Sequence, residues 1–470
     1  MSTTVKFKAK TPLREVYEES GLLADVAERA TRYLSQIDSR RVWPSRDALA
    51  ALSAFDIPLQ EHPIPPDEIV DELDRLAAPA TMAIAGPRFF GFVNGSGLPA
   101  AVAANMLSTA WAQHGGFWVL SPAGTTIEQV ALRWTIELLG LPAQSGGAFV
   151  TGTTVAHVTG LAAARSSLLA RVGWDVEADG LFGAPPITVV VGAEAHPTLF
   201  KALGIIGLGR DRVITVPVDS EGRMVADELP SISGPTIVCV QAGNVNTGSF
   251  DPFREIVGRV KTSRAPTWIH VDGAFGLWAR VAPARAYLAD GVELADSWAT
   301  DAHKWLNSPY DCGIAIVRDA EALRRAMATS AAYLPSGTDY VNPSDFTPEM
   351  SRRPRGVDVW AVLRSLGRTG LADLVERNCR LARRFAAAFA GAGYPVLNDV
   401  VLNQVLVSFG DPESTRRVIA AVQDDGTCWC GPTVWQGRTA MRVSVISWAT
   451  TDADVDRSVD AILRIARRVA

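Results

Sequence analysis

Between residues 187 and 318 the chain returns again and again to short runs that are apolar on both faces. They are ITVVVGA (187–193), RVITVPV (212–218), TIVCVQA (236–242), TWIHVDG (267–273) and CGIAIVR (312–318). A strand with no polar face must be covered on both sides, and helical stretches separate these runs. The pattern therefore predicts a largely parallel sheet sandwiched by helices, in a large α/β domain over residues 86–330. Before it, Leu22, Leu23, Val26 and Ala30 recur at helical spacing, as do Ile69, Leu73 and Leu76 behind the proline-rich HPIPPDE (62–68). Residues 1–85 thus read as an N-terminal helical arm. After it, residues 331–356 are dominated by Pro, Gly, Ser and charge, and read as a mobile loop of a length that is usually functional. Helical stretches at 359–367 and 371–391, strand-like VLNQVLVSFG (401–410) and AMRVSVISW (440–448), and a helix over 452–469 complete a small C-terminal α+β domain, 357–470.

Composition narrows the function classes. The chain has 470 residues, 48% hydrophobic and 20% charged, with a formal net charge of −5. This balance gives no reason to expect nucleic acid or an anionic membrane as a partner. No apolar run approaches the ~20 residues that span a bilayer. The polar start MSTTVKFKAK lacks the apolar run of a secretory signal. Five scattered cysteines (239, 312, 379, 428 and 430) do not make a disulfide framework. A soluble, cytoplasmic protein is the expectation.

Four segments carry chemistry. In DSWATDAHKWLNSPYDCG (296–313), Ser297, Asp301 and His303 crowd polar groups around Lys304 just before a strand. A lysine that forms a Schiff base needs such an enclosed position, although an HK pair alone is more often a surface lysine beside a capping histidine. In HVDGAFG (270–276), Asp272 ends a strand, where open α/β sheets bind ligands. The plainer reading is an aspartate capping the next helix. It is weakened by the glycines, which let backbone approach a ligand. His196, in AEAHPTLFKAL (193–203), also follows a strand and can stack on a planar ring; taken alone it reads as a histidine tucked at a helix start. TGTTVAHVTGLAAAR (151–165) opens an alanine-rich helix with hydroxyls. Thr153 or Thr154 there is either an ordinary N-cap or part of a phosphate seat. His62, His114, His157 and His270 show no metal-ligand grouping, and the CWC at 428–430 has the wrong spacing for a zinc clamp.

Taken in this order, these segments resemble the group II pyridoxal-phosphate-dependent amino-acid decarboxylases, which include aromatic-L-amino-acid, glutamate and diaminobutyrate decarboxylases. DAHKWLNSPYDCG, HVDGAFGLWA and SPAGTTIEQVALRWTIELLGLP (121–142) look like family blocks, and the likeness runs from about residue 85 to the C-terminus. The resemblance implies a fold-type I enzyme using pyridoxal 5'-phosphate. It implies a Schiff base on Lys304, Asp272 paired with the pyridine nitrogen, and His196 stacked on the ring. It places Thr153, Thr154, Ser297, Asp301 and His303 near the phosphate. Asp301 stands where better-known animal enzymes often carry asparagine, and a carboxylate beside a phosphate is unfavourable. QAGNVNTGSFDP (241–252) falls where the family touches the ring or the substrate carboxylate, with Asn244, Asn246 and Thr247 as undivided candidates.

The reaction so implied is decarboxylation of an L-amino acid to the amine and carbon dioxide, the α-carboxylate bond being held perpendicular to the ring. Tyr340 on the long loop, with Tyr333 as its competitor, or else His196, would return the proton to Cα. Arg442, in AMRVSV, matches a family arginine near the entrance of the site. Phe90, Phe92, Phe117 and Trp118 favour an aromatic or bulky apolar substrate side chain, unless they only pack a dimer core. A homodimer is the family expectation. The competing readings are an aldehyde-forming oxidative deaminase, another fold-type I lyase or aminotransferase, and a cofactor-binding regulator. The regulator is disfavoured because no basic DNA-binding segment is visible.

Overall fold

A computed structural model describes residues 21–330 and 340–469 of the chain. Tyr333 and the first twenty residues lie outside the described residues. The N-terminal part supplies helices α1 (Leu22–Ser35) and α2 (Pro66–Ala77), each with an exposed polar side. Pro66 at the first turn of α2 suits a position where the missing N–H has no partner to lose. Helices α3 (Pro99–Ala110) and α4 (Pro122–Leu138) then lead into a seven-stranded sheet.

That sheet is built from β1 (Gly146–Val150), β2 (Thr188–Gly192), β3 (Ile214–Val216), β4 (Thr236–Gln241), β5 (Thr267–Asp272), β6 (Ser297–Asp301) and β7 (Gly313–Val317), in the order β1-β7-β6-β5-β4-β2-β3. Pairs β3–β2, β2–β4, β4–β5 and β5–β6 are parallel, while β7 runs antiparallel to β6 and β1. The expected mostly parallel α/β architecture is therefore present. Helix α5 (Thr153–Ala170) crosses one face over β5, β6 and β7. Its alanines and glycines suit it to that place, since small side chains let a helix lie close to a sheet. Between the strands lie α6 (Pro197–Ile205) and α7 (Phe253–Val260), and after β7 comes α8 (Ala320–Met327).

Helix α9 (Gly356–Gly391) bends at Gly367, which adopts φ 60°. Its first part, through Val359, Val362 and Leu363, packs into the core of the large sheet; Phe385 and Phe389, near its end, pack into a second core. That second core is formed with β8 (Gln404–Val407), α10 (Pro412–Asp425), β9 (Gly431–Trp435), β10 (Arg438–Ser444) and α11 (Asp452–Val469), whose three strands make an antiparallel sheet ordered β8-β10-β9. Among the described residues no helix is long and apolar enough to cross a membrane. All five cysteines are buried, unpaired thiols.

Candidate active site

In a parallel sheet the strands all deliver their carboxyl ends to one edge, and loops there can converge on a ligand. Here β1, β2, β4, β5 and β6 each send a residue to one cavity of about 400 Å³: Thr153 after β1, His196 after β2, Gly243 after β4, Asp272 at the end of β5, and Lys304 after β6. The sequence segments singled out for chemistry thus meet at one edge.

The Lys304 ammonium lies 3.0 Å from Asp301 Oδ2, and the Thr153 amide donates to Asp301 Oδ1 at 2.7 Å. The carboxylate whose place beside a phosphate was the difficulty is therefore already partnered, by a lysine and by the first turn of α5. Burial alone would raise the Asp301 carboxyl, but Lys304 and His303 outweigh it and hold it below its ordinary value. His303 stacks on Tyr310 and accepts a hydrogen bond from the Cys312 amide; burial lowers its pKa.

Asp272 is 7% exposed and accepts from the Ala274 amide at 3.2 Å, while His157 Nε2 stands 3.4 Å from its other oxygen. Burial would raise this carboxyl too, but His157, His196 and Lys304 hold it well below the usual carboxylate range. His196 caps α6: the Thr198 amide donates to its Nδ1, and the Thr198 hydroxyl lies 2.8 Å from the same atom. A backbone amide can only donate, so Nδ1 is bare and the proton resides on Nε2. Burial, opposed by Asp272, lowers the pKa of His196 and keeps that ring neutral at neutral pH.

The donor set suits a pyridoxal phosphate. At the α5 end the Thr153 hydroxyl is buried with no hydrogen-bond partner among the described residues, beside the helix N-terminus and Thr154. Across the cavity stands an ionised carboxylate, and a primary amine lies between them. One end is thus fitted to an anion and the other to a protonated ring nitrogen.

Other expected site residues fall elsewhere. Ser297 starts β6, four strand positions or ~13 Å before Asp301, and its hydroxyl is taken up by Trp268 and His270. Asn244 accepts from the Asn246 and Thr247 amides and so closes a turn, while the Thr247 hydroxyl bonds the Glu221 carbonyl. Asn246 accepts from Thr433 and meets Arg442 at 3.5 Å. Asn244, Asn246 and Ser297 therefore do not line the cavity in this subunit. Phe90 is also misassigned as a pocket residue: it lies 1% exposed, edge-on to Phe385 in the C-terminal core. Phe117 stacks on His114, and Trp118 on Tyr340 with ring centroids 3.5 Å apart; none of these three predicted residues, Phe117, Trp118 and Tyr340, faces Lys304 of its own subunit. Phe92 does line the cavity, resting on Trp429. Arg442 sits behind Val245 at the rim, bonded to its carbonyl, with no carboxylate partner among the described residues. Burial pushes its pKa down to about 10. Sequence reasoning passed over Val93 and Phe275, which also line the wall, because isolated apolar residues carry no signal of their own. Among the described residues no cluster of His, Cys, Asp or Glu is placed to hold a metal.

Comparison with known proteins points the same way. Residues 50–409 match the model of the pyridoxal-dependent decarboxylase conserved domain. Tryptophan decarboxylase 1 of Oryza sativa subsp. japonica is 28% identical over 81% of this chain and 80% of its own length. The 4-hydroxyphenylacetaldehyde synthase of Rhodiola rosea is 26% identical over 97% and 95%. A crystal structure of Oryza sativa TDC with PLP and tryptamine superposes with a TM-score of 0.87 at 24% identity, over 98% of this chain and 99% of that one, which shows a shared fold. With a family domain spanning most of its length and a lysine, a carboxylate and an anion seat around one cavity, the chain belongs to the pyridoxal-dependent decarboxylases and is a carboxy-lyase that uses pyridoxal 5'-phosphate.

Proposed function

We propose that the chain decarboxylates an aromatic or bulky apolar L-amino acid at the Lys304 cavity. The observation that carries the reading is that Lys304 and Asp272, the two groups the cofactor needs, line one cavity whose remaining wall includes Phe92, Val93 and Phe275. Pyridoxal 5'-phosphate, when bound, supplies the electron sink for the bond to the departing carboxylate. Lys304 would anchor it, Asp272 would face its ring nitrogen, and Thr153, Thr154 and His303 would hold its phosphate.

The chain's own residues orient and exclude. Asp272, held ionised by its neighbours, keeps a proton at the facing nitrogen. His196, with Nε2–H free, covers the ring or holds the substrate carboxylate. Arg442, which has no carboxylate partner among the described residues, offers a second anion contact at the rim. The apolar wall keeps water from the reacting carbon and favours an apolar side chain.

The proton returned to Cα comes, in this reading, from Tyr340 or Tyr333 of a neighbouring subunit or from His196. A homodimer is part of the proposal, supported by exposed Met106, Leu107, Trp111, Val119 and Leu120 around α3 and the 117–120 segment. Five unpaired thiols suit a cytoplasmic setting. We retain the assignment of residues 1–85, 86–330, 331–356 and 357–470 as arm, large domain, loop and small domain.

Incubation with a panel of L-amino acids, with carbon dioxide, amine and aldehyde all measured, tests the reading. Amine with carbon dioxide from an aromatic substrate is expected. Aldehyde with peroxide and ammonia would move the assignment to the oxidative class, and keto acid without carbon dioxide would sink both. A Tyr340→Phe enzyme with undiminished amine production would remove Tyr340 from the mechanism.

A further inference from the structure

Behind Asp272, on the side away from the cavity, lies a line of polar side chains in an otherwise apolar layer. Trp268, His270 and Asp272 alternate along β5, so their side chains share one face of the sheet. Helix α5 crosses that face and adds His157, and Ser297 of β6 stands opposite His270 in register. His157, His270 and Ser297 are completely buried. Trp268 Nε1 lies 2.8 Å from Ser297 Oγ, and Ser297 Oγ 2.7 Å from His270 Nδ1. His270 Nε2 lies 2.8 Å from His157 Nδ1, and His157 Nε2 faces Asp272 Oδ2 at 3.4 Å. Among the described residues His157 Nε2 has no other partner.

The two ends of this line fix its direction. An indole N–H can only donate, and a carboxylate can only accept. With both rings neutral, a His157 proton on Nδ1 would leave a bare Nε2 against the Asp272 carboxylate, so the order runs back from Asp272 and ends with the Ser297 proton on His270 Nδ1. His270 must then carry its proton on Nε2 and give it to His157 Nδ1. His157 in turn carries Nε2–H, aimed at Asp272. Among arrangements with both rings neutral, any other sets two donors or two lone pairs face to face. A proton added to either imidazole makes His270 Nδ1 a donor and takes away the acceptor of the Ser297 proton, and burial independently disfavours it at His270.

We infer that Trp268, Ser297, His270 and His157 form a one-way hydrogen-bond chain that holds the Asp272 carboxylate ionised and in a single orientation toward the cavity. His157, His270 and Ser297 are thus positioning residues, acting on the cofactor through Asp272. The inference rests on the reading that Asp272 faces the cofactor ring. The other groups facing Asp272 are His196 from the start of α6, Lys304 from the loop after β6, and Cys239 from β4. None of these continues the chain into the protein interior, and only His157 links the carboxylate to a fixed donor.

The test is ring-15N histidine NMR on the full-length, cofactor-loaded protein, with the two signals assigned by their loss in His157→Gln and His270→Gln. Both rings are expected as neutral Nε2–H tautomers at pH 7, with His270 unchanged from pH 8 to pH 6. In Ser297→Ala, which does not touch the cavity, pyridoxal 5'-phosphate should be released about two- to tenfold faster, the factor typical of one intramolecular hydrogen bond. An Nδ1–H or doubly protonated ring at pH 7, or unchanged release from Ser297→Ala, would overturn the inference. If that variant does not fold, the wild-type spectrum alone decides. Tautomers are read without turnover. A protein that shows them but decarboxylates nothing would refute the proposed reaction and leave the chain standing.

Discussion

Lys304 and Asp272 differ in how replacement should act, although both line the same cavity. Among the described residues Lys304 is the only primary amine on the lining, so Lys304→Ala should abolish the visible absorbance of covalently held cofactor; a spectrum like the wild type would refute its role. Asp272→Asn keeps shape and removes charge. It should leave that absorbance in place and lower kcat about 10²–10³-fold, the loss seen when one preorganised electrostatic partner is removed. Arg442 makes a different prediction. Among the described residues its guanidinium bonds only carbonyl and carboxamide oxygens, so an incoming carboxylate would be the first counter-charge it meets there. If it binds substrate, Arg442→Met should raise KM about 10- to 100-fold, the worth of one charge-assisted hydrogen bond, with kcat little changed. A fall in kcat with KM intact would place Arg442 in the chemistry instead.

At the scale of elements, what was legible depended on whether a segment announced its period. β2, β4, β5 and β7 are continuous apolar runs and fall where the sequence puts them. β1 was not read, because GGAFV opens with two glycines; β6 was not, because SWATD mixes polar residues into a strand that is nonetheless buried at every position. β9 hid behind its proline and a tight turn at Gln436 and Gly437, both at positive φ, where the sequence lacks the usual Asn-Gly signal. Asp272 and His196 were legible because one ends and the other follows an apolar run, and Lys304 because polar groups crowd it just before the run that becomes β7. His157 and His270 were not, since what gives them meaning is a helix lying on a particular strand. That contact depends on Gly160. A Cβ there would stand 3.0 Å from His270 Cε1. Gly160→Ala should therefore push α5 off β5 and destabilise the protein by about 1–3 kcal/mol, as overpacking does, despite the better helix propensity of alanine. A melting temperature at or above wild type would show that the helix has slack. Gly95 tests the other side of the site. Its Cβ would meet the Lys304 carbonyl at 2.0 Å, a backbone contact that cannot swing aside, so Gly95→Ala should dislodge the loop that carries Phe92 and Val93.

Over the whole molecule, the site's buried histidines make stability depend on pH in a direction that can be worked out. His196, His270 and His303 all have lowered pKa values, each chiefly through burial. In the unfolded chain they titrate near 6.5. Below that value the unfolded state takes up protons that the folded state refuses, so stability is present above pH ~6.5 and falls as pH drops. Between pH 7 and pH 6 each histidine can remove at most ~0.7 kcal/mol, or roughly 2 kcal/mol for the three together. Asp251 works in the opposite sense. Burial raises its carboxyl to about 6, so its stabilisation is complete below its unfolded value and disappears as pH rises through 6. On acidification to pH 6 it therefore returns only a few tenths of a kcal/mol; burial raises Glu194, Glu221, Asp296, Asp345 and Asp358 too, and they act in its sense against the histidines. The cofactor-free protein should melt at a lower temperature at pH 6 than at pH 7. His303→Gln, which removes one of the three without touching the chain behind Asp272, should flatten that difference by up to a third. A melting temperature that rises on acidification over this window would mean that the buried carboxyls, not these three rings, set the pH dependence.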